Sequence, residues 1–210
     1  MMLSAIVDEP PAAAEVVQVG ALRAVLLAED DDLAPDEMLL RQAGLVASLM
    51  DTCTAVLPVR AGSRVRDCGE AGRLLRARYA ELREGLDRVR GCVELGVRAS
   101  GPGGSRTAEA PQDGRAYLAA RARAWRWADG LSARLTGLRG EPGVRDVALL
   151  ACTPATVKAS LLVEKDRLES ARGAVRRLEQ PGEGELVLSG PFAPYSFVPA
   201  PPEGGRHDGT

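Results

Sequence analysis

The sequence predicts an α+β protein with a small N-terminal domain over residues 1–65 and a larger α+β domain over residues 66–198. Three observations predict it. Short apolar stretches bounded by Gly, Pro and Asp alternate with longer amphipathic ones along the whole chain. Over residues 92–189 these stretches run strand, helix, strand, strand, helix, strand, the βαββαβ order of a ferredoxin-like sandwich. Two long segments repeat apolar residues at spacings of four and three, as coiled-coil seams do.

Residues 3–7 read as a strand ended by Asp8-Glu9-Pro10-Pro11. Residues 15–19 and 22–28 flank Gly20-Ala21 as a hairpin. Pro35 stands where a helix starts, and Leu39, Ala43, Val46 and Met50 recur at helical spacing, which predicts an amphipathic helix over 36–51. Residues 55–59 form a compact apolar strand, and 60–66 read as a polar linker. Leu75, Tyr79, Leu82, Leu86 and Val89 make the first seam on one helix over 67–90. Gly91 ends it, residues 92–99 alternate as a strand, and the Gly-rich stretch from Ser100 to about 112 is a flexible loop. The second seam, Tyr117, Arg121, Ala124, Ala128, Leu131, Leu135 and Leu138, predicts a helix over 113–139. The two seams are expected to face each other, or one of them a partner. Strands at 144–151 and 157–163, a helix marked by Leu168, Ala171, Val175 and Leu178, and a strand at 185–189 complete the domain. The tail, 199–210, is rich in Pro, Gly and charge and is expected to be disordered.

The chain's 210 residues, 45% apolar, can supply a real core. A net charge of −2 gives no electrostatic footprint for nucleic acid or an anionic membrane surface. The basic residues are almost all Arg, Lys158 and Lys165 being the exceptions. No apolar run approaches a membrane span or a signal-peptide core, so a soluble, cytoplasmic protein is expected. Cys53, Cys68, Cys92 and Cys152 are widely spaced and read as free, buried thiols. His207 is the only histidine and lies in the tail, so neither a zinc site nor a Ser-His-Asp or Cys-His centre is expected. The loop at Gly101-Pro102-Gly103-Gly104 lacks the Gly-Lys-Ser/Thr that holds a nucleotide's phosphates. The acidic run Glu29-Asp30-Asp31-Asp32 lacks the alternation of a calcium loop and reads as a solvated turn. No cofactor is expected.

A few residues stand out as candidate partner contacts. Trp125 and Trp127 are two apart on one helix and cannot share a face, so both pack internally or one is exposed to a partner. Arg60 follows an apolar strand and precedes a glycine turn; it ties down carbonyls or a carboxylate, or it sits at a partner surface. The stretch Gly190-Pro191-Phe192-Ala193-Pro194-Tyr195-Ser196-Phe197-Val198 holds three of the chain's five Phe and Tyr residues. It reads as an extended strap, with Phe192, Tyr195 and Phe197 as rings that either pack on the core or form a binding loop.

That stretch resembles the C-terminal signature of the gas vesicle accessory family GvpF/GvpL, Gly-Pro-Trp-Pro-Pro-Tyr-Ser-Phe. Val56-Leu57-Pro58-Val59-Arg60-Ala61-Gly62-Ser63 is similar to the family's Val-Leu-Pro-x-Arg-Phe-Gly-Thr. Between them, Gly91-Cys92-Val93-Glu94-Leu95-Gly96-Val97 and Gly114-Arg115-Ala116-Tyr117-Leu118 fall in the family's order. Ala61 replaces a Phe, Phe192 a Trp, and the His of the first helix is missing near Arg41-Gln42. The resemblance implies a modified ferredoxin-like N-terminal domain and a C-terminal α+β domain with long helices. It implies no enzymatic activity. It implies a minor vesicle-associated protein that engages the hydrophobic shell subunit, and other accessory proteins, during nucleation or early assembly. The alternative is a small-molecule-binding or regulatory module, which requires a concave apolar pocket.

Overall fold

The computed structural model describes residues 1–9, 15–28, 30, 34–101, 113–180 and 184–199. The acidic run apart from Asp30, the loop at 102–112 and the tail from 200 onward lie outside the described residues. The chain forms two compact units. Met1–Arg90, rejoined by the chain from Phe197, is the first, and Gly91–Ser196 is the second. The division therefore falls well beyond the expected 65/66.

The first unit holds a four-stranded antiparallel sheet built from β1 (Met2–Val7), β2 (Glu15–Val19), β3 (Leu22–Leu27) and β4 (Val56–Pro58), in the order β2-β3-β1-β4. All six residues of β1 are buried, as a central strand covered on both faces requires. The β2-β3 loop has two residues, and its first, Gly20, takes φ +58, a value that such tight hairpins demand and glycine supplies. The first helix, α1 (Pro35–Thr52), opens on Pro35 with the Glu37 carboxylate accepting from the Ala34 amide. Its buried residues are Met38, Gln42, Val46 and Leu49. The expected face is thus turned by one residue, leaving Leu39 and Leu40 exposed.

Residues 60–66 are not a linker. The Leu3 amide donates to Ser63 O and the Val65 amide to Met1 O, so residues 63–65 lie antiparallel to the start of β1 through a single bridge at Met2 and Arg64, and Val65 is buried. The helix expected over 67–90 is two: α2 (Cys68–Ala77), capped by the Asp67 carboxylate on the Glu70 amide, and α3 (Tyr79–Val89). They separate at Arg78, which has φ −116 and ψ 22. Between them they follow successive strands, α2 over β2 and β3, α3 over β3 and β4. The first seam's Leu75, Leu82, Leu86 and Val89 are buried against this sheet, and this explains why the boundary lies after them.

The second unit has the expected order: β5 (Cys92–Ser100), α4 (Gly114–Gly137), β6 (Val144–Cys152), β7 (Thr156–Glu164), α5 (Leu168–Arg176) and β8 (Glu185–Phe192). Its antiparallel sheet runs β6-β7-β5-β8, equivalent to the order of the first sheet. Alternate residues of the central strands, Leu95 and Val97 on β5 with Leu161 and Val163 on β7, form one core face, on which α4 and α5 close. The second seam is covered by this sheet rather than by another helix: Ala128, Leu131 and Leu135 are buried. β8 continues through Gly190-Pro191 to Phe192, past the expected end at 189.

Candidate functional site

The polar feature most thoroughly built into the second unit joins two of the motif stretches quoted above. Glu94, 7% exposed, sits on β5 in the run Cys92-Val93-Glu94-Leu95-Gly96-Val97. Its Oε1 accepts from the hydroxyls of Ser160 on β7 (2.6 Å) and Ser196 (2.7 Å), and its Oε2 accepts from the Ser196 amide (2.8 Å). The two hydroxyls are 3.0 Å apart. A carboxylate buried in an apolar strand is tolerable only when so surrounded by donors. These contacts hold Pro194-Tyr195-Ser196 onto β5 and β7. Upstream, the bend at Gly190 (φ +104) is held by the Arg172 guanidinium, which donates to Gly190 O (3.1 Å) and pairs with Glu169 (2.6 Å). A side chain at Gly190 would meet Glu94 O at 2.8 Å.

The rings of this segment part company. Tyr195–Phe197 form a 3-10 turn, not an extended strap, and three residues per turn send i and i+2 to different sides. Phe197 is buried, whereas Phe192 and Tyr195 are 51% and 42% exposed. Partial burial still pushes the Tyr195 phenol up. In the first unit, Phe197 lies under the Arg88 guanidinium, 5.6 Å from the ring centre, and Pro199 fills the space that Gly85 leaves one turn earlier on α3.

Arg60 is exposed on the turn after β4. Its carbonyl accepts from the Ser63 amide, so the backbone of Arg60 closes the turn while its guanidinium reaches solvent. The residue that ties the turn down is Gln42, buried on α1. Its amide group donates to Val59 O and its carbonyl accepts from the Gly62 amide, both at 3.4 Å. Sequence reasoning passed over Gln42, Glu94 and Ser160. For Glu94 a signal existed, a single charge inside an apolar alternating strand.

On α4, Trp125 is 39% exposed. Trp127 is half-buried beside Gly101, where it lines a cleft with Ala99, Leu131, Leu178 and Leu186. The cleft holds ≈ 20 Å³, room for roughly one water molecule rather than an organic ligand. Among the described residues no group of three His, Cys, Asp or Glu is placed to hold a metal ion. No described helix is long and apolar enough to cross a membrane.

All four cysteines are free, but only Cys53 and Cys92 are buried, and Cys68 and Cys152 are exposed, a correction to the expectation. Burial pushes the Cys92 thiol up. The Cys68 thiol is also raised, because it donates to the Glu15 carboxylate (3.4 Å). Thiol titration of the folded protein at neutral pH is therefore expected to label Cys152 first and Cys68 slowly. Cys53 and Cys92 are expected to react only on unfolding, and four equally fast thiols would contradict these environments.

Two α+β units on four-stranded antiparallel sheets, the second with a C-terminal segment pinned by a buried carboxylate, define a two-sheet α+β protein. A family model for gas vesicle synthesis protein GvpL/GvpF matches residues 4–199, and the chain belongs to that family. It is 29% identical over 186 residues to gas vesicle protein L of Streptomyces sp. (strain CB03234), a match covering 73% of this chain and 66% of that protein's length. Among solved structures it is similar to gas vesicle protein GvpF of Anabaena sp. PCC7120, with a TM-score of 0.71 at 13% identity over 95% of this chain and 98% of the other. GvpF of Microcystis aeruginosa is similar over the same shares, with a TM-score of 0.66 at 13% identity. At such identity these two establish the shared fold.

Proposed function

We propose that the protein is a gas vesicle accessory component that binds the hydrophobic shell subunit and keeps it from aggregating during nucleation and early assembly. Membership of a gas vesicle synthesis family over nearly the whole chain carries this reading. The physical need is plain: a small apolar subunit aggregates unless its surface is covered before it polymerises, and a protein with exposed apolar side chains can cover it reversibly. Such work needs neither a cofactor nor catalysis. The protein acts as a non-enzymatic binder in the cytoplasm, at the growing vesicle, with the shell subunit and other accessory proteins as partners.

Co-expression tests this. The shell subunit is expected to move from the pellet into the soluble fraction and to co-purify with a tag on this chain. An unchanged pellet fraction, with no co-purification, contradicts the reading.

A further inference from the structure

α4 is longer than the core that it covers. Its burial begins at Ala128, and residues 114–126 are exposed except for the half-buried Ala120 and Ala124. At 1.5 Å per residue this is about 20 Å of helix with no partner among the described residues. It is not polar all round, as a free helix surface ordinarily is. Leu118 is 65% exposed, Tyr117 49% and Trp125 39%. Leu118, Ala122 and Trp125 fall at i, i+4 and i+7, a continuous apolar stripe of the kind that seats another helix.

The charge beside the stripe selects the occupant. Arg115, Arg121, Arg123 and Arg126 lie on this stretch, and no acidic residue occurs from Gly114 to Ala128. Asp113, just before it, is used as the cap, accepting from the Ala116 amide (2.7 Å). Among the described residues none of the four arginines is in an ion pair. Arg121 donates to the Tyr117 hydroxyl (3.2 Å), which places a guanidinium between the Tyr117 and Trp125 positions, within the apolar stripe. Seating this face in a neutral lipid surface would bury that charge without a counter-ion, and a chain of net charge −2 has no electrostatic footprint for an anionic one. Pairing it with a second copy would set arginine against arginine. A helix carrying apolar anchors flanked by carboxylates satisfies both the stripe and the arginines.

We propose that the free half of α4, centred on Leu118, Arg121 and Trp125, is the docking site for an acidic amphipathic helix of a partner protein. The inference rests on the reading above for there being a protein partner, and it adds the surface and the partner's chemistry. The probe is a pair of labelled synthetic helical peptides with Leu at i, i+4, i+7 and i+11, one flanked by Glu and one by Lys, titrated with the full chain. The Glu peptide is expected to bind and to weaken as salt rises. Arg121→Glu and Trp125→Ala are each expected to weaken it by about tenfold or more while melting like the parent, since both sites are exposed. Equal binding of both peptides, or no binding of either, overturns the proposal. So does binding of the Glu peptide that is unchanged by both substitutions. Dimerisation in sedimentation that Trp125→Ala abolishes assigns the face to a second copy, and Trp125-dependent flotation with phosphatidylglycerol vesicles assigns it to a membrane; either also overturns it. Shell-subunit co-expression decides the reading and the peptide pair decides the surface, so each can fail alone.

Discussion

Phe197→Ala is expected to lower the stability of the first unit by about 3–5 kcal/mol, a large share of the roughly 5–15 kcal/mol typical of a domain. The ring is 2% exposed, so truncation loses its burial and leaves a cavity that the surrounding backbone cannot fully close. The Arg88 guanidinium over its face adds about 0.5–1 kcal/mol at an exposed site, and Arg88→Ala is expected to cost about that much. Phe192→Ala and Tyr195→Ala, at rings half open to solvent, are expected to cost far less. Urea unfolding of the four variants checks the ranking. A Phe197→Ala protein that unfolds like the parent yet no longer binds the shell subunit would make this segment an interface instead of a structural anchor.

Glu94→Ala is expected to cost the second unit roughly 2–4 kcal/mol, because three donors lose their acceptor at once. Glu94→Gln is expected to recover only part of this. The carboxylate uses one oxygen for two hydroxyls and the other for the amide, whereas a carboxamide offers a single acceptor oxygen. Ser196→Ala, which removes a hydroxyl and keeps the amide bond, is expected to cost less than Glu94→Gln. Thermal melting orders the three, and a Glu94→Ala protein within about 0.5 kcal/mol of the parent would remove the node from the account.

The second unit was legible in the sequence because its strands alternate and its helices carry apolar stripes, local patterns that fix element type and order. What those stripes pack against was not legible. The four-three spacing of Leu75, Leu82, Leu86 and Val89 suits a helix or a sheet equally, and here it meets a sheet. The break at Arg78 carries neither Gly nor Pro to mark it. Gln42 occupies a core position of α1 for the sake of two backbone partners from the turn after β4, so an apolar pattern search chose the neighbouring face. The Glu94–Ser196 contact spans 102 residues of sequence, and only the fold brings the two together. The exposure of Trp125, Phe192 and Tyr195 is likewise a property of the fold that periodicity does not record.

The most direct measurement mixes purified chain with denatured shell subunit, dilutes out the denaturant and follows light scattering and size-exclusion elution together. The account predicts suppressed scattering, with the shell subunit eluting in a complex with this chain. Scattering that rises as it does without the chain, with the chain eluting alone, would contradict it.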